Sequence, residues 1–217
     1  MKSIKSAKNL FFIIAILAGT IPSVANANLL VNGDFENEPN WGKGILGDNG
    51  FTALTGTQLP GWTIMAGYAV TIHNTKIYPT ISGEYSVNTD GEGYGGHNAS
   101  LYQDFSTTNG QQYSLTFDWK TWSSNTTPML DIIVIDTVTS NVLYDGNFVW
   151  SLGLYNEEAF FTGTGNPFRL QIQERPESRF NDNSYIVDNF VVTPVPVPPT
   201  MFLLGIGLAG IIRARKK

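Results

Sequence analysis

The chain has 217 residues, of which 14% are charged, with 13 Lys and Arg against 18 Asp and Glu, so its formal charge is −5. It has no cysteine and two histidines, which excludes disulfides, thiol nucleophiles and cysteine-ligated metals and leaves little for histidine chemistry. The acidic balance argues against nucleic acid as a partner, while 42% hydrophobic residues are enough for the core of one ordinary domain.

The charge is unevenly placed. The two ends hold Lys2, Lys5 and Lys8, then Arg213, Arg215, Lys216 and Lys217, and no acid. Residues 28–200 hold six basic residues against all 18 acids, a net of −12. The chain reads as an acidic body between two basic, apolar handles.

In the first handle, the three lysines precede the apolar residues 10–18. Gly19, Pro22 and Ser23 then interrupt the helix before Ala25-Asn26-Ala27. A basic start, a short apolar helix and an A-x-A site predict a secretory signal peptide over residues 1–27, removed by signal peptidase, with Asn28 opening the mature chain. The apolar run is too short for a stable membrane span of about 20 residues.

Residues 28–193 show no long 3.6-residue periodicity. In Tyr113-Ser-Leu-Thr-Phe-Asp-Trp-Lys120 the apolar residues Tyr113, Leu115, Phe117 and Trp119 alternate with polar ones. Residues 168–173 repeat the pattern, and residues 130–135 and 185–192 are β-branched runs of strand length. Turn signals stand at Asn109-Gly110, Ser140-Asn141, Asp145-Gly146 and residues 163–167. Many short strands at this spacing predict an all-β fold, an antiparallel β-sandwich. Its tryptophans divide: Trp62, Trp119 and Trp150 are expected in the core, while Trp122 and Trp41, with Tyr94, are expected exposed. Sugars stack on such aromatics, so these three are the candidate glycan-binding residues. The Gly-rich run at 91–97 lacks the strand, helix and lysine of a phosphate loop. His73, in an alternating strand, and His97 have no nucleophile motif beside them.

The second handle begins with prolines at 194, 196, 198 and 199, a stiff extended linker. A twelve-residue apolar segment, 201–212, follows as a hydrophobic helix, and the basic residues at 213–217 close the chain. The positive end would stay cytoplasmic, which puts the acidic body on the other side of the membrane.

This C-terminal arrangement resembles the PEP-CTERM sorting signal of exopolysaccharide-producing Gram-negative bacteria. Val195, Pro196, Val197 and Pro198 stand where the family's motif belongs, with Val197 in the place of its usual glutamate, and residues 202–208 are close to its Leu/Gly-rich run. The resemblance, covering residues 194–217, implies an exosortase as partner, an inner-membrane intermediate held by residues 201–212, and delivery to the cell surface or extracellular matrix.

Three body segments resemble galactose-binding-like jelly rolls, the architecture of several carbohydrate-binding modules: residues 28–36 (NLLVNGDFE) as the opening strand, 59–63 (LPGWT) as a tryptophan motif, and 184–192 (SYIVDNFVV) as the last strand. The resemblance implies a jelly roll with its first and last strands side by side. It also implies a structural calcium held by the Asp34 carbonyl and the Glu36 and Asp188 carboxylates, oxygen ligands of the kind Ca²⁺ takes. The expected function is non-catalytic: display of a glycan-binding body in an extracellular polysaccharide or biofilm matrix. A structural matrix protein without sugar binding, or a secreted glycoside hydrolase with two carboxylates about 5–10 Å apart, are the alternatives.

Overall fold

The structure, a computed structural model, describes residues 27–37, 51–74, 79–89, 99–121, 129–149, 151, 153–175 and 185–196. Residues 1–26 and 197–217 lie outside them. Every regular element among the described residues is a strand: β1 (Phe51–Leu54), β2 (Thr63–Ile64), β3 (Val70–Asn74), β4 (Tyr85–Asn88), β5 (Ser100–Ser106), β6 (Gln112–Thr121), β7 (Met129–Asp136), β8 (Val142–Val149), β9 (Leu154–Thr162), β10 (Pro167–Glu174) and β11 (Tyr185–Pro194). They pair antiparallel into a six-stranded sheet ordered β1-β3-β4-β11-β6-β9 and a five-stranded sheet ordered β2-β5-β10-β7-β8. The all-β sandwich expected from the alternation is the observed architecture.

The alternation explains the packing. In β6, Tyr113, Leu115, Phe117 and Trp119 are buried while the residues between them are not. In β10, Phe168, Leu170 and Ile172 point inward from the other sheet. These rows form one core with Leu130, Ile132, Val134, Val187 and Phe190. Trp62 and Trp119 are core residues, as expected, while Trp150 lies outside the described residues.

Residues 28–36 run along the second half of β11 as expected: Leu29 N–H donates to Val192 O at 2.8 Å, and Phe190 N–H to Gly33 O at 2.8 Å. They are not a regular strand, however. Asn32 and Phe35 have φ of 55° and 56°, which breaks the ladder. Gly33 is required here, because a Cβ would stand 2.0 Å from Phe190 O. The strained Phe35 is held by its ring, which is wholly buried 5.6 Å from Trp62 and 6.1 Å from Phe190. Trp62 lies 5.8 Å from Phe190, and its Nε1 donates to Asn32 O at 3.0 Å. One aromatic from each of the three motif segments meets in this cluster.

Two local expectations are corrected. Asp145-Gly146 is not a turn: both residues lie inside β8, opposite Ile133 and Ile132. Gly146 makes room for two rings, since a Cβ there would meet Tyr144 Oη at 2.4 Å and Phe148 Cε2 at 2.8 Å. β3 does not alternate in burial, because Thr71 and His73 on its outer side are as buried as Val70 and Ile72.

Candidate functional site

The outer face of the five-stranded sheet is a grid of long polar side chains. Register places Met65, Ser100, Gln173, Asp131 and Asn147 in one row, and Thr63, Tyr102, Gln171, Ile133 and Asp145 in the next. Asp104 and Arg169 follow in a third. Arg169 makes a two-point ion pair with Asp104, at 2.7 and 2.9 Å, and its guanidinium lies 3.6 Å above the centre of the Tyr102 ring. Gln171 Nε2 donates to Gln173 Oε1 at 2.8 Å. Arg175 Nε donates to Asp131 Oδ2 at 2.6 Å, and its Nη2 to Asn147 Oδ1. Asp131 is only 8% exposed, and among the described residues its Oδ1 accepts no hydrogen bond. The face therefore offers amides and a planar guanidinium–aromatic ledge, which suit a ligand rich in hydroxyl groups.

The Asp131 side of this face borders one end of the sandwich. Thr121 pairs with Tyr185, Thr89 N–H donates to Tyr185 O at 2.8 Å, and Glu174 N–H to Ala99 O at 3.0 Å. The strand ends that flank segments 90–98, 122–128 and 176–184 meet there. Tyr94 and Trp122 belong to the first two segments. Like Trp41 and His97, they lie outside the described residues. Of the sorting motif, Val195 and Pro196 are described, and Val197 and Pro198 are not.

The structure brings two of the three expected calcium ligands to one backbone segment. Glu36 Oε1 accepts from the Glu84 and Tyr85 N–H groups, each at 2.9 Å. Asp188 Oδ2 accepts from Ser86 Oγ at 2.8 Å and Ser82 N at 3.2 Å, and its Oδ1 from Asn189 N at 2.7 Å. Asp34 is exposed, with Oδ1 3.4 Å from Glu36 N, beside a cleft of about 430 Å³ lined by Asn28, Asn32, Asn189 and Phe190. Asn189 has φ 55° at a bulge in β11, which turns Asp188 and Asn189 toward this segment.

Burial pushes the Asp188 carboxyl up to about 6; its hydrogen bonds oppose that rise and the charge of Glu36 adds to it. The two carboxylates bring oxygen donors only, the kind a hard cation takes. No group of three or more His, Asp or Glu among the described residues is placed to hold a metal ion, so carbonyls or waters would have to complete the shell. Lys120 Nζ donates to Thr80 O at 2.9 Å nearby. His73 is buried with Nε2 3.0 Å from Asn88 Nδ2, and burial, with the Lys120 charge second, lowers it to about 4, so it is neutral at pH 7.

The described sandwich has the fold of jelly-roll carbohydrate-binding modules. It matches a structure titled as a family 16 carbohydrate-binding module at 18% identity and a TM-score of 0.50, over 76% of this chain and 99% of that one. A second match is to an α-L-arabinofuranosidase solved with arabinose, at 11% identity and a TM-score of 0.50, covering 80% of this chain and 27% of that enzyme. The chain belongs to the family described as protein of unknown function (DUF642), matched over residues 28–193. Residues 194–217 match the PEP-CTERM protein-sorting motif, which implies export, processing by an exosortase-type enzyme and sorting to the bacterial surface. No curated protein matches the chain. Among the described residues no helix is long and apolar enough to cross a membrane, and residues 201–212 lie outside them.

The site residues Gln171, Gln173, Asp131 and Arg175 were not singled out by the sequence. Their signal was present as the polar half of the alternation in residues 168–173. Only strand register, however, joins that half to Asp131 and Asn147.

Proposed function

We propose that the protein is an exported, surface-sorted, non-catalytic component of an extracellular polysaccharide matrix, and that its body binds glycan through the outer face of the five-stranded sheet. The signal peptide, residues 1–27, is removed by signal peptidase in a Gram-negative host. Residues 201–212 hold the precursor in the inner membrane until the exosortase acts, and residues 28–193 work at the surface. Trp122 and Tyr94, in segments anchored beside Asp131, supply stacking surfaces, with Trp41 as the further candidate. Ca²⁺ bound by Glu36 and Asp188, with the Asp34 carbonyl, would pin residues 28–36 to the last strand; its part is structural.

The observation that carries the reading is the row Gln173–Asp131–Asn147, in which the Gln173 and Asn147 amides flank Asp131 and the Arg175 guanidinium that it holds. Both guanidinium groups of the face are ion-paired, which favours neutral sugars over uronates. The carboxylates Glu36 and Asp188 are occupied by backbone and hydroxyl donors, which suits a structural role better than an acid–base pair.

Asp131→Ala combined with Gln173→Ala is expected to weaken retention on neutral-polysaccharide affinity gels at least tenfold, since each lost hydrogen bond is worth about 1 kcal/mol and those of charged groups more. Unchanged mobility of the double variant on a polysaccharide that retards the parent would refute the assignment of this face.

A further inference from the structure

The end of the sandwich opposite the Trp122 segment is closed by three loops, residues 107–111, 137–141 and 163–166. They are tied into one surface: Gly110 N–H donates to Gly163 O and Gly163 N–H to Gln111 O, both at 2.8 Å, Thr107 Oγ1 to Asn166 O at 2.8 Å, and Thr137 N–H to Pro167 O at 3.1 Å. Their fourteen residues are Thr, Asn, Gly, Gln, Ser and one Val, with no charge among them, in a body of net −12. Val138, at their tip, is 67% exposed. Asp136 at the base of this end is buried. Thr164 Oγ1, Asn166 Nδ2 and the Val138 and Thr139 N–H groups bind its carboxylate, holding it ionised below the usual carboxylate range against the cost of burial.

The sorting tail leaves from this same surface. Val195 N–H donates to Gln112 O at 2.8 Å, and Gln111 Nε2 to Val195 O at 2.8 Å, so the sheet holds the chain through the first residue of the motif. From Pro196 to Met201 the backbone reaches at most about 18 Å.

The nearest acid, Asp136, is wholly buried behind the loops with its charge enclosed by four donors, and the others stand back from the end. At a rise of about 3.4 Å per residue, Asp145 lies about 10 Å, Glu158 about 14 Å and Asp118 about 20 Å along their strands, and Asp104 is neutralised by Arg169. A Debye length near 8 Å in physiological salt screens them from a surface at the loops.

We propose that this end, which exposes no charge, rests on an anionic lipid surface while the tail is in place. The inference depends on the reading that residues 201–212 sit in a membrane. Short tethering brings an acidic body to a negatively charged bilayer, and the Val138-tipped end, whose only acid is the buried Asp136, is the described surface that meets it with the least repulsion.

The absence of cysteine makes single labels clean. Full-length protein carrying Val138→Cys or Leu154→Cys, both exposed positions at opposite ends, would be labelled with a fluorophore. It would then be reconstituted into phosphatidylethanolamine–phosphatidylglycerol vesicles containing a nitroxide-headgroup lipid. The label at position 138 is expected to be quenched at least threefold more than that at 154, in protein that floats with the vesicles. Flotation with equal quenching overturns the docking and leaves the tail reading standing. Protein that does not float overturns both.

Discussion

Phe190→Ala is expected to destabilise the body by about 3–5 kcal/mol, read as a fall in the urea midpoint with little change in slope. The Phe190 ring has no exposed surface. It stacks on Phe117 at 5.3 Å and 10°, and meets Trp62 and Phe35 edge-on at 5.8 and 6.1 Å. Truncation would open a cavity between the sheets and free the strained Phe35. Phe160→Ala is the control: its ring, on the outer face of β9, is 53% exposed, so its cost should stay within about 0.5 kcal/mol. A Phe190→Ala loss below about 1 kcal/mol would contradict a core built on this cluster.

Asp188→Asn should change how stability depends on pH more than it changes stability at any one pH. The folded carboxyl titrates at about 6 against an ordinary 3.8, so ionisation is disfavoured by folding. The sign follows: Asp188's contribution is fully present below the unfolded value and is lost as pH rises through 6, by about 3 kcal/mol. His73, lowered to about 4 from 6.5, acts oppositely, its contribution being present above 6.5 and lost as pH falls toward 4. The two nearly cancel between pH 4 and 6 in the parent. Asp188→Asn should uncover the His73 loss, so that urea titrations show the variant falling about 3 kcal/mol relative to the parent between pH 7 and 3.5. Parallel profiles would contradict the burial account. Ca²⁺ binding at Asp188 would hold the carboxylate ionised, raise the melting temperature at pH 7 and be reversed by EDTA. Calorimetric traces identical with and without Ca²⁺ would remove the metal.

The legible parts of the fold are those where one physical pattern has one outcome. The alternation in residues 113–120 and 168–173 maps onto β6 and β10 because each has a covered and an open face. β3 defeats that logic, since Thr71 and His73 on its outer side are buried too. Asp145-Gly146 reads as a turn only while the rings of Tyr144 and Phe148 are unseen. Residues 28–36 were legible as the neighbour of the last strand, but not as a segment broken at Asn32 and Phe35, because those dihedrals are imposed by Trp62 and Phe190 from elsewhere in the chain. The polar outer face proposed for glycan was the least legible: Asp131, Gln173 and Asn147 come from three strands, and their meeting is a matter of register. Glu36 and Asp188, suggested by a family resemblance, do converge on one segment, although Asp34 contributes only at its edge.

A glycan array probed with the body, residues 28–195, at neutral pH tests the central claim most directly. Retention on one or more neutral polysaccharides, abolished by Asp131→Ala with Gln173→Ala in a protein that still melts cooperatively, is the predicted result. Absence of binding to every glycan on the array, or equal binding by the double variant, would contradict it.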